Sequence, residues 1–164
     1  MQLEEFNALP AADAAATVRP CVDIDSWVEA VVAGRPYDAV ADLLAVADVQ
    51  ARTWSPAEVE AALADHPRIG ERHQGSGASA AMSGQEQAGV DPHDADVQRR
   101  LADGNAAYEE RFDRIYLVRA AGRSAEEILA LLEERLTNDP ETEIAVTSGQ
   151  LREIALLRLE GLVS

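Results

Sequence analysis

Hydrophobic and polar positions follow helical spacing along the whole chain. Leu3 to Leu9 predicts a short first helix that Pro10 breaks. Asp25 and Ser26 are placed to cap a helix through Trp27, Val28, Val31 and Val32, which Gly34 and Pro36 end. Tyr37 to Arg52 carries Val40, Leu43, Leu44 and Ala47 on one side. Ser55-Pro56-Ala57-Glu58 has the form of a capping box with proline at the first helical position. That helix runs through Val59 and Leu63 and stops before His66-Pro67, because a residue before proline resists the α conformation. Gly70 to Met82 is rich in Gly, Ser and Ala and predicts a loop, with a new helix starting at Ser83. Asp94 to about Phe112 predicts a long helix whose inner face is Leu101, Ala106, Tyr108 and Phe112. Ile115 to Val118 is β-prone and expected to be extended before Gly122. Ser124-Ala125-Glu126-Glu127 opens a helix striped by Ile128, Leu131, Leu132 and Leu136, and Asp139-Pro140 caps the last one. With neither a repeat nor a linker, residues 1–164 are expected to form a single all-α domain.

Composition narrows the chemistry. Aromatics are only 4% of the 164 residues, so the core must be built from Ala, Val, Leu and Ile. No apolar stretch approaches the roughly 20 residues of a membrane span, and the acidic first residues lack a charged-then-apolar leader. Cys21 is the single thiol, which excludes an internal disulfide and fits a reducing compartment. The ending Leu162-Val163-Ser164 is not a peroxisomal Ser-Lys-Leu address, so a cytoplasmic setting is expected. A net charge of −16 repels nucleic acid and anionic membranes, and its plain meaning is a well-solvated surface. Every one of the 14 basic residues is arginine. Without lysine, a Schiff base is unavailable, whether to pyridoxal phosphate or to a carbonyl substrate, and a P-loop is excluded.

Four side chains then stand out. His66 falls at a helix end, fixed by Pro67. Such a histidine often only meets the last carbonyls and the helix dipole, but an imidazole also gives and takes protons near neutrality. Glu86 closes a second apparent capping box, Ser83-Gly84-Gln85-Glu86, which leaves Gln87 without a capping duty. The amides of a helix start there would also suit an anion. Arg158 stands in the middle of an apolar side formed by Leu151, Ile154, Ala155 and Leu162. It needs a partner, either an internal acid or a carboxylate or imide substrate gripped in a bidentate way. The histidines His66, His73 and His93, with Asp91 and Asp94, lack the spacing that sets two ligands on one helix face, so no metal site is expected. Cys21 reads as buried filler, and Trp27 and Trp54 as packing on helices.

Taken in order, these pieces resemble the 2-oxo-4-hydroxy-4-carboxy-5-ureidoimidazoline (OHCU) decarboxylase family. The matching pieces are Trp27 with Arg35-Pro36-Tyr37, His66-Pro67-Arg68-Ile69-Gly70, Ser83 to Gln87, Asn105-Ala106-Ala107-Tyr108 with Arg111-Phe112, and Leu157-Arg158-Leu159. The chain departs from the family after Phe112, where Asp113, Arg114 and Ile115 replace a glycine and further aromatics. The resemblance implies an all-α homodimer that decarboxylates a ureidoimidazoline to (S)-allantoin in urate breakdown, with neither metal nor organic cofactor. It implies catalytic roles for His66, Glu86 and Arg158. It implies substrate contacts at Pro67, Ser83, Gly84, Gln85, Glu86, Gln87, Val118, Arg119, Ala120, Ala121 and Gly122. The rival readings are a non-catalytic helical module whose acidic face meets a basic partner, and a metal-dependent hydrolase using the three histidines.

Overall fold

A computed structural model describes residues 1–71 and 77–164; His73 lies outside them. The helices are α1 (Leu3–Ala8), α2 (Ala11–Val18), α3 (Asp25–Ala33), α4 (Val40–Ala51), α5 (Pro56–Ala62), α6 (Ala78–Glu86), α7 (Ala95–Phe112), α8 (Ala125–Arg135) and α9 (Pro140–Leu162). Short 3-10 turns occupy Arg19–Cys21, Leu63–Asp65 and Gln87–Gly89. No strand occurs among the described residues, and the fold is all-α as expected. Among the described residues, no helix is long and apolar enough to cross a membrane. The chain forms two compact units, Met1–Ala62 with Leu151–Ser164, and Leu63–Gln150.

In the first unit, Phe6, Val18, Trp27, Val31, Leu43 and Leu159 are fully buried, with Cys21 among them as filler. The Trp27 indole N–H donates to the Ala47 carbonyl at 3.1 Å, so this large side chain is buried without a lost hydrogen bond. Three expectations need correction. Ala11–Val18 is helical although the apolar pattern marks no element there. Its alanines have high intrinsic propensity, and the Pro10 carbonyl accepts from the Ala14 N–H at 2.9 Å, so the proline opens α2 as well as ending α1. Ile24, not Asp25, is the N-cap of α3. The Asp25 carboxylate instead takes Arg19 Nη1 at 2.9 Å. Trp54 lies past the end of α4, where its indole donates to Gln50 Oε1 at 3.0 Å. Before α5 the capping box forms as predicted: Ser55 N–H donates to Glu58 Oε1 at 3.0 Å, and Glu58 N–H to Ser55 Oγ at 3.1 Å.

The second unit is organised by α7 and α8. Asp94 caps α7 by accepting from the N–H groups of Asp96 and Val97, both at 3.1 Å. Asp113 in the left-handed region, with φ 56°, ends it. α8 opens where expected, and Ser124 and Glu127 form a capping box there. Leu101, Tyr108, Phe112, Ile128 and Leu132 belong to the core, but the inner face of α7 also carries Val97 and Asn105, and the expected Ala106 is exposed. Arg135 at the end of α8 is also buried. It lies one turn beyond Leu132, on the same apolar side as Ile128. Its Nε and Nη2 donate to Glu143 Oε1 at 2.7 and 2.6 Å. Its Nη1 donates to the Leu117 carbonyl at 2.6 Å, and its guanidinium stacks 4.8 Å from the Tyr116 ring centroid.

These bonds explain how residues 115–120 stay non-helical without a sheet partner. Tyr116 OH donates to the Ile128 carbonyl at 2.9 Å. Arg135 takes the Leu117 carbonyl, and Gln150 Oε1 accepts from the Arg119 N–H at 2.9 Å. Side chains from α8 and α9 thus satisfy main-chain groups that a neighbouring strand would otherwise pair. Burial raises the Tyr116 phenol well above its ordinary value, so it stays a donor at any working pH.

Candidate functional site

The His66 segment is built by a helix that cannot continue. α5 tightens into the 3-10 turn Leu63–Asp65, and His66 N–H closes on the Leu63 carbonyl at 3.0 Å. Pro67 then forbids another helical turn. His66 and Pro67 are half-buried. Arg68 pairs with Glu109 of α7, and this hydrogen bond raises its pKa further. Ile69 is buried, and Gly70 adopts φ +91°. A Cβ at Gly70 would lie 3.2 Å from both Gln98 Oε1 and Leu101 Cδ1, so conformation and space both call for glycine.

The second motif corrects the prediction of a helix start at Ser83. α6 begins at Ala78, after Gly77 with φ +101°, and takes up residues 78–82 of the predicted loop. The run Ala78-Ser79-Ala80-Ala81-Met82 was the missed signal, since alanine is the best helix former. Ser83 is therefore a buried interior residue of α6, Glu86 its last residue, and the Ser83-to-Glu86 capping box does not exist. The free amides of a helix start are likewise absent from Ser83 to Gln87. Gln87 does have a structural duty: its Oε1 accepts from the Gly70 N–H at 2.9 Å. This bond ties the two motifs together. A second tie runs from Ser79 Oγ to Asp65 Oδ2 at 2.9 Å.

Beside that tie lies a cavity of about 450 Å³, within the usual range for small-molecule sites. Gly70, Ser83, Gly84 and Gln87 line it, with Glu71 and Gln98. Of the predicted contact residues, Ser83, Gly84 and Gln87 thus share one wall. His66, Pro67, Gln85, Glu86 and residues 118–122 are not among the described residues lining it. Val118 and Ala120 are buried in the segment fixed by Arg135 and Gln150, and Gly122, with φ +75°, turns the chain toward α8. The Ala120 carbonyl accepts from the Arg123 N–H at 3.0 Å, and the Ala121 carbonyl from Arg119 Nη1 at 3.0 Å. Arg158 belongs to the first unit. It is buried, and its Nη1 donates to the Pro20 carbonyl at 3.0 Å. His93 is exposed, and its N–H donates to Asp91 Oδ1 at 2.8 Å. Among the described residues, no group of three His, Cys, Asp or Glu side chains is arranged to hold a metal ion.

Fold and cavity together describe an all-α protein with a cavity of small-molecule size. A family model described as OHCU decarboxylase matches residues 7–160. The 2-oxo-4-hydroxy-4-carboxy-5-ureidoimidazoline decarboxylase of Amia calva is 31% identical over 166 residues, covering 99% of this chain and 95% of its own. The enzyme of the same description from Mus musculus is 31% identical over 140 residues, covering 82% of this chain and 76% of its own. A crystal structure of an OHCU decarboxylase in the presence of (S)-allantoin shares the fold, with a TM-score of 0.69 at 22% identity over 87% of this chain and 93% of that one. The chain belongs to the OHCU decarboxylase family, and with it to the carboxy-lyases.

Proposed function

We propose that this chain decarboxylates OHCU to (S)-allantoin in urate breakdown without a cofactor, with His66 carrying the proton transfer. The observation that carries this reading is the near full-length family match, in which the His66–Gly70 and Ser83–Gln87 motifs both fall. The Gly70–Gln87 bond beside a cavity of small-molecule size supports it. The chemistry needs no added electron sink. The carboxylate leaves from a ring carbon that bears a hydroxyl and adjoins a C=N bond. As the C–C bond breaks, its electron pair forms a C=C bond to the neighbouring carbon, and the C=N pair moves onto nitrogen, which takes a proton. The resulting enol loses its O–H proton as the carbonyl forms. The neighbouring carbon takes a proton on one face, giving a single enantiomer.

The protein has to orient the carboxylate, stabilise the electron-rich intermediate and supply that proton. In this reading His66, polarised by Glu86, relays the hydroxyl proton to carbon. Arg158 holds a carboxylate or imide group. Pro67, Ser83 to Gln87 and the main chain of Val118 to Gly122 position the ring. The correction at Ser83 changes one part: α6 contributes its last turn here, not the amides of its start. The same reading carries a homodimer and a cytoplasmic setting.

The test uses freshly generated OHCU, followed by circular dichroism for the appearance of (S)-allantoin. His66→Ala and Glu86→Ala should each lower turnover by about a hundredfold or more while melting like the parent. Wild-type turnover by folded His66→Ala refutes the proton-transfer role. Activity abolished by a chelator would favour the metal-hydrolase alternative.

A further inference from the structure

The Asn-x-x-Tyr element of α7 has no part in the chemistry described so far, yet its asparagine is one of the few buried polar side chains among the described residues. Asn105 is 5% exposed and its Nδ2 donates to the Ile69 carbonyl at 3.0 Å. Its Oδ1 is buried and has no hydrogen-bond partner among the described residues. A buried unpaired oxygen is a cost that an apolar residue at this position would avoid, so the amide requires an explanation beyond packing.

The explanation lies in which peptide it meets. The Ile69 carbonyl and the Gly70 N–H belong to the same peptide unit. Asn105 takes the oxygen end, and Gln87 Oε1 takes the nitrogen end at 2.9 Å. Two amide side chains, one from α7 and one from the 3-10 turn that follows α6, thereby fix the rotation of a single peptide plane. One turn further along α7, Glu109 holds Arg68. Gly70 on the far side of that plane adopts φ +91°, a conformation that glycine permits. The His66-Pro67-Arg68-Ile69-Gly70 segment is thus anchored at its glycine end by three consecutive residues, while at its start the His66 N–H returns to Leu63.

The geometry points to Asn105 as a positioning residue: by holding the Ile69–Gly70 peptide against Gln87 it sets the path of the segment that carries His66. The inference rests on the reading of His66 given above. It predicts an effect on kcat and not on KM, because Asn105 acts through the orientation of another group. A misplacement near 1 Å at a reacting group costs on the order of a hundredfold in rate.

Three variants test it with OHCU as substrate. Asn105→Leu removes the donor together with the unpaired oxygen. It should melt close to the parent, yet lose kcat by about tenfold to a hundredfold with KM unchanged. Asn105→Asp supplies a donor to the Ile69 carbonyl only when its carboxyl is protonated, and burial favours that neutral form. The ratio of its kcat to the wild-type kcat should therefore climb as pH falls. Asn105→Ala should show a low ratio that does not change with pH. A flat ratio in Asn105→Asp, or a wild-type kcat per folded molecule in Asn105→Leu, overturns the inference. Should Asn105→Leu fail to fold, the pH dependence of the Asp variant decides alone. If the wild-type chain has no OHCU decarboxylase activity, the functional reading itself has failed, which is a separate result.

Discussion

Replacing Glu143 by leucine tests what holds the second unit together. Glu143 is fully buried and Arg135 is 4% exposed. The carboxylate accepts from Arg135 Nε and Nη2, from Tyr108 OH at 2.6 Å and from Asn138 Nδ2 at 3.0 Å. Leucine conserves volume but removes all of these acceptors. Arg135 keeps the Leu117 carbonyl at 2.6 Å and Thr147 Oγ1 at 3.2 Å, neither of which carries the compensating charge. Breaking one half of a buried ion pair costs about 3–5 kcal/mol. At about 2–4 °C per kcal/mol for a chain of this size, Glu143→Leu should melt roughly 6–20 °C below the parent. The double variant Arg135→Met/Glu143→Leu removes both charges together. It should recover most of the loss, because two apolar side chains can replace a buried pair at little cost. Urea unfolding followed by far-UV circular dichroism of the two single variants and the double variant gives the coupling directly. A single variant within about 1 kcal/mol of the parent refutes the account of an uncompensated buried charge. So does a double variant less stable than either single one.

Two further outcomes follow from the same kind of reasoning. Arg158→Ala should raise KM for OHCU severalfold and also lower the melting temperature, since it empties a buried site and strands the Pro20 carbonyl; an unchanged KM in folded protein refutes the substrate role. Acid stability should depend on Asp48, whose carboxyl is held below its ordinary value by hydrogen bonds from Arg152 first and Arg52 second. A lowered folded pKa stabilises the fold above the unfolded value, and the contribution is lost as pH falls through the carboxylate range. The melting-temperature gap between the parent and Arg152→Met should thus be open at neutral pH and close in acid. A gap that stays constant with pH contradicts it.

Much of this architecture was legible because it is local. The Ser55–Glu58 capping box, the opening of α8 at Ser124, the stop before His66-Pro67 and the apolar side of α9 need only neighbours within a turn or two. The errors arose where local rules compete. Ser83-Gly84-Gln85-Glu86 satisfies a capping pattern, but the alanine run before it has already started the helix, so the pattern falls inside one. The burial of Asn105 and Arg135 was not legible, for a different reason. Each is a polar residue on an apolar face, and only the tertiary structure supplies the Ile69 carbonyl or the Glu143 carboxylate that makes its burial tolerable. The candidate site was read mainly from motif order. The Gly70–Gln87 bond, which gives two of those motifs a physical reason to occur together, spans residues too distant for any spacing rule to reveal.

The stretch from Tyr116 to Ala120 has a consequence for how such a protein tolerates change over generations. Its shape is dictated from outside, by Arg135, Gln150 and the Ile128 carbonyl. What it can offer a bound molecule is peptide groups, which every amino acid possesses. Apart from Tyr116, whose hydroxyl is spent on the Ile128 carbonyl, letters inside the stretch can drift so long as they fit the core, while exchanges at Arg135 or Gln150 disturb it from afar. A homologue can therefore keep the same backbone path under an unfamiliar spelling, and the residues to watch are the distant ones that hold it in shape.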